Sequence, residues 1–74
     1  MREFYVKIDS LEKAKTLNGI LRRADGDFDL VQDHMTIDGK SFLGILSMDL
    51  SRPVKLIIHD SEELEIHRLE EYLA

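Results

Sequence analysis

A two-layer α+β domain, with helices on one face of an antiparallel sheet and water on the other, is the architecture this 74-residue chain predicts. Short segments alternate apolar and polar residues with a period of two, as half-buried strands do. Between them lie stretches whose apolar residues recur at helical spacing. Read along the chain the order is βαββαβα, and half-wet strands with amphipathic helices between them leave one sheet face open to solvent. No linker, repeat or low-complexity tract interrupts it, so residues 1–74 read as a single domain. A chain of this size buries only about 60% of its unfolded surface, which leaves little stability to spare for a deep catalytic cavity. A module that works through its surface is expected, not an enzyme.

The elements follow in order. Phe4, Val6 and Ile8 alternate with Glu3, Tyr5 and Lys7, which predicts a first strand. Asp9-Ser10 supplies N-cap oxygens, and Leu11, Ala14, Leu17, Ile20, Leu21 and Ala24 share one side of a helix running from about residue 11 to 24. Gly19 falls on its polar face, and Arg22-Arg23 sit where the helix dipole favours cations. Asp25-Gly26-Asp27 ends the helix. Phe28 and Leu30, then Met35 to Ile37, predict a hairpin that turns at Asp33-His34. Ser41 is the expected cap of a short second helix bearing Phe42, Leu43, Ile45, Leu46 and Met48. After the polar stretch Asp49 to Pro53, Val54, Leu56 and Ile58 form a fourth strand. Asp60 and Glu63 have capping-box spacing ahead of a third helix with the stripe Ile66, Leu69 and Leu73. The expected core is Phe4, Val6, Ile8, Leu17, Leu21, Leu30, Val54, Leu56, Ile58 and Leu69.

Composition narrows the function classes. There is no cysteine, which excludes a disulfide framework, a thiolate nucleophile and thiolate zinc ligands. The net charge of −5 is unevenly placed: residues 1–59 carry nine bases and nine acids, while residues 60–74 carry six acids against Arg68. Arg22-Arg23 is the only basic doublet, and Asp25, Asp27 and Asp29 follow it, so binding to nucleic acid is not expected. No run approaches the roughly 18 apolar residues of a membrane span, and Met1-Arg-Glu-Phe lacks a signal-peptide core. A cytoplasmic protein is expected. His34, His59 and His67 read as surface histidines, and with no ligand spacing among them no metal or other cofactor is expected.

The segment Phe28 to Met48, FDLVQDHMTIDGKSFLGILSM, resembles the histidine-containing phosphocarrier protein, HPr, of the bacterial sugar phosphotransferase system. That family shows a hairpin followed by Lys-Ser, two apolar residues, Gly, two apolar residues, Ser and an apolar residue, matched here without gaps by Lys40 to Met48. The resemblance implies an HPr-like fold: four strands in the order 1-4-2-3, covered on one face by three helices. It implies too that Ser41 is the target of a regulatory serine kinase, and that the region of Lys40, Phe42, Leu43 and Ser47 meets protein partners, a transcriptional regulator among them. Phe42, Leu43 and Leu46 are open to two readings, core or partner surface.

The chain departs from the family at the chemistry. Where HPr carries its phosphoryl-accepting histidine, in a Gly-apolar-His-Ala-Arg-Pro motif between first strand and first helix, this chain reads Asp9-Ser10-Leu11-Glu12-Lys13-Ala14-Lys15. No imidazole or guanidinium is present there. Ser10 does not replace it, because a serine phosphoester lacks the transfer potential of a phosphorylated imidazole. The expectation is a regulatory or interaction module that has lost phosphocarrier activity. Two alternatives stand beside it: a small-molecule sensing domain of the ACT type, which shares the βαββαβ order, and an active phosphocarrier using another histidine.

Overall fold

A computed structural model describes residues 2–60. Within that range lie β1 (Arg2–Val6), α1 (Leu11–Arg23), β2 (Asp27–Gln32), β3 (Met35–Asp38), α2 (Phe42–Leu46) and β4 (Val54–Asp60). The expected third helix, with Leu69 and His67, lies outside the described residues.

The four strands form one antiparallel sheet in the order β1-β4-β2-β3. Register places Phe4 beside Leu56, Leu56 beside Leu30 and Leu30 beside Ile37, so one row of apolar side chains crosses all four strands. On the same face Val6 meets Val54 and Phe28 meets Ile58. The opposite face carries the alternate residues, among them Tyr5, Lys55, Val31 and Thr36. The period-two pattern thus separates a covered face from an open one, as the sequence predicts.

α1 begins where Ser10 takes extended backbone angles and its Oγ accepts the Lys13 N–H at 3.1 Å. Ala14, Leu17, Ile20 and Leu21 are buried against the sheet. The expected core is observed at Val6, Ile8, Leu17, Leu21, Leu30, Val54, Leu56 and Ile58; Ala14, Ile20, Phe28, Ile45 and Met48 join it. Phe4 differs, being only partly buried, because β1 has a neighbouring strand on one side only among the described residues. Leu11 differs more. It is 54% exposed, since the first helical residue projects beyond the layer that the later turns cover. Asn18, by contrast, is buried on the apolar side of α1 and donates its amide to the Gly39 carbonyl at 3.4 Å.

The hairpin turns at Asp33-His34, with Gln32 opposite Met35. Asp33 takes a positive φ of 55°, a region that Asp enters more readily than most side chains. Between Phe28 and Asp27 the β2–β4 register shifts, so that Asp27 pairs with Asp60 and Phe28 with Ile58. That shift leaves His59 outside the regular pairing.

Candidate functional site

The residues Asp38 to Met48 join β3 to α2 and then to the following loop, and each step has a local cause. Asp38 Oδ1 accepts the Lys40 N–H at 2.9 Å, and its carbonyl accepts the Ser41 N–H at 2.9 Å, which folds the chain back after β3. Gly39 lies inside this turn, with its N–H on the Phe28 carbonyl at 2.8 Å. A Cβ there would come within 3.0 Å of Leu21 Cδ1 and 3.1 Å of Phe28 Cβ, so a side chain would fit only if these neighbours gave way by a few tenths of an ångström.

Ser41 then caps α2. Its Oγ accepts the Gly44 N–H at 3.1 Å and its carbonyl accepts the Ile45 N–H at 3.1 Å. The residue is exposed. Gly44 packs close to β3: a Cβ would lie 3.1 Å from Ile37 Cδ1 and 3.3 Å from its Cβ. The glycine of the Lys-Ser-apolar-apolar-Gly motif therefore lets the helix approach the strand. At the other end the Ser47 hydroxyl donates to the Gly44 carbonyl at 2.6 Å. The motif is thus a closed local unit in which both serines satisfy helix-end groups.

The four residues named as partner contacts fall in different surroundings. Leu43 is 79% exposed and points away from the core; Leu46, one turn on, is 41% exposed. Phe42 lies partly buried against the core, and Ile45 is fully buried, so α2 divides its apolar residues between inside and outside. Both readings of this cluster apply, to different residues. Ser47 is exposed with its hydroxyl already engaged. Lys40 turns inward: its Nζ donates to the Ala24 carbonyl at 2.9 Å, beyond the last turn of α1, and sits 5.6 Å from the centre of the Phe28 ring. Its structural task is to tie the end of α1 to the start of α2.

The first-strand to first-helix junction carries Ser10 as a cap and Asp9, whose carboxylate pairs with Lys13 at 3.3 Å. Of the histidines, His34 is an exposed residue of the hairpin turn. His59 Nε2 lies 2.7 Å from Asp29 Oδ2 on the open face of the sheet. Neither stands at the start of α1. Among the described residues, no group of three or more His, Asp or Glu side chains is arranged to hold a metal ion. No helix among them is long and apolar enough to cross a membrane.

Two polar clusters escaped the sequence reading. Gln32 is buried and clamps the loop after α2, its Nε2 donating to the Asp49 carbonyl and its Oε1 accepting the Asp49 N–H, both at 2.8 Å. The alternation of Phe28 and Leu30, carried two residues further, puts Gln32 on the covered side and was the signal for it. Around the same loop Arg52 grips two carboxylates, Asp33 at 2.7 Å and Asp49 at 3.0 Å. The hydrogen bond from Arg52 holds the Asp33 carboxyl below its ordinary value, and the hydroxyl and N–H of Ser51 do the same for Asp49. Arg52 is held protonated in return. Beside it, on the open face, Tyr5, Val31 and Lys55 help line a shallow cleft of about 330 Å³. Its cations are already answered by acids, Arg52 as above and Lys55 by Glu3 at 3.5 Å.

No family model, curated protein or solved structure matches the chain.

Proposed function

We propose that this chain is an HPr-like regulatory module that binds protein partners through the surface around α2, is controlled by phosphorylation at Ser41, and has no phosphocarrier activity. The observation that carries the reading is the side-by-side placement of an exposed Ser41 and the outward-facing Leu43 on one five-residue helix and its cap. A phosphoryl group on Ser41 adds about −1.5 to −2 charges at the edge of an apolar surface. Its effect falls on whatever docks there, while the buried Ile45 keeps the helix seated. The sheet order 1-4-2-3 supports the HPr-like fold. The lack of an imidazole from Asp9 to Lys15 supports the loss of relay chemistry.

The test uses an HPr-type serine kinase with ATP or pyrophosphate, followed by mass spectrometry of the wild type and Ser41→Ala. Phosphate on the wild type alone is expected. Label that persists in the alanine variant moves the site elsewhere, and no label in either sinks the regulatory part of the proposal. Incubation with phosphoenolpyruvate and the first enzyme of the phosphotransferase system is expected to leave no acid-labile phosphate. Stoichiometric labelling of a histidine would restore the carrier reading.

A further inference from the structure

In the order β1-β4-β2-β3 the outer edges of β1 and β3 meet no strand among the described residues. Unpaired strand edges are templates for further pairing unless something blunts them. β3 is blunted: it has four residues, and the Asp38 carbonyl is taken by the Ser41 N–H. β1 has neither proline nor glycine, and Tyr5 near its end is 56% exposed.

The ladder fixes which groups along β1 face outward. Because the Gly39 N–H bonds the Phe28 carbonyl, Phe28 turns its peptide groups toward β3. Alternate residues turn to opposite neighbours, so Asp29 and Val31 face β4. Their partners Ile57 and Lys55 face back, which leaves Leu56 and Val54 facing β1. Phe4 and Val6, opposite these two, face inward. Glu3, Tyr5 and, just past the strand, Lys7 therefore turn their N–H and C=O groups away from β4, where no strand among the described residues meets them.

We infer that two copies of this chain join β1 to β1, antiparallel, about a two-fold axis at Tyr5, forming one continuous eight-stranded sheet. Outward residues must meet outward residues, and the alignment centred on Tyr5 uses all three. It sets Glu3 of each copy, which also pairs with Lys55 of its own copy at 3.5 Å, opposite Lys7 of the other, Tyr5 against Tyr5 on the open face, and Phe4 against Val6 on the helix face. Opposite-charge and aromatic pairs are favourable across strands. A shift by two residues sets Glu3 or Lys7 against Tyr5, and a larger one sets Glu3 on Glu3 or Lys7 on Lys7. The symmetric contact consumes the edge on both copies, so assembly stops at two. This pairing is independent of any modification at Ser41.

Sedimentation equilibrium from micromolar to millimolar concentration tests it, with circular dichroism to check folding of each variant. Tyr5→Pro removes an outward N–H and leaves the bonds to β4 intact, as proline on an edge strand can. It is expected to give a folded monomer. Lys7→Glu and Glu3→Lys are each expected to weaken self-association about tenfold, since both symmetric pairs then oppose like charges. Mixing the two variants is expected to restore a heterodimer. In the mixed pair the two introduced side chains face each other with opposite charge, and so do the native Glu3 of one copy and the native Lys7 of the other. A wild type that stays monomeric throughout overturns the inference, as does a dimer unmoved by these substitutions or a mixture that shows no recovery.

Discussion

Gln32 shows how much one side chain can settle. Its amide pairs with both backbone groups of Asp49, so the loop between α2 and β4 is fastened to the end of β2. Gln32→Ala leaves that N–H and carbonyl without partners in a partly enclosed place and is expected to cost about 1–3 kcal/mol. Urea unfolding measures it, and an unchanged midpoint would mean that water replaces the amide freely. Gly39→Ala probes the opposite fault, an added atom for which the neighbours must give way. With Leu21 and Phe28 within 3.1 Å of the new methyl, a loss of about 1–3 kcal/mol is expected by the same measurement. Neither residue was legible as a structural keystone in the sequence. Asn18 and Gln32 interrupt apolar patterns, and a pattern reports which side a residue faces but not which distant carbonyl awaits it. Gly39 carries no local signal at all, because its crowding comes from Leu21, eighteen positions earlier, and from Phe28.

At the level of elements, the strands, both described helices and the two-residue hairpin turn were legible, because each has a local signature in period, cap or turn residue. Division of labour within α2 was not. Its five residues are too few for a helical stripe to say which of Leu43, Ile45 and Leu46 faces in, and the packing of Gly44 on Ile37 decides it. The loop between α2 and β4 brings a pH dependence. Asp33 and Asp49 both have folded-state values below the ordinary 3.8. A carboxyl depressed in this way favours the folded state above its unfolded value, and the contribution disappears as pH falls through the lower, folded value. Stability should therefore decline with acid below about pH 4. Arg52→Met removes the main cause of the depression at Asp33 and should lessen the slope of this part of the profile in thermal melts taken across that range, while Ser51 still holds the Asp49 carboxyl down. An unaltered slope would assign the acid sensitivity to other groups.

For the molecule as a whole, the antiparallel sheet with helices on one face was readable because the alternation of strand residues and the helical stripes agree on where the core lies. Sheet order was not readable from those patterns; it came from the resemblance of Phe28 to Met48 to a known arrangement. Leu21→Ala, at a fully buried position on the covered side of α1, is expected to cost about 2–5 kcal/mol in equilibrium unfolding, a large share of a small domain's stability. The sheet order also sets a timetable for folding. β1 is made of the first residues, yet the strand beside it is β4: Val6 waits for Val54 and Arg2 for Ile58, roughly fifty residues later. Closing so long a loop is entropically slow next to forming the hairpin of β2 and β3, so the early nucleus belongs to the middle of the chain and β1 docks last. In stopped-flow experiments Leu30→Ala should chiefly slow folding, whereas Val6→Ala should chiefly hasten unfolding. Until β1 docks, both sides of that strand are open, and a newly unfolded or refolding chain is most exposed to wrong partners through its first few residues.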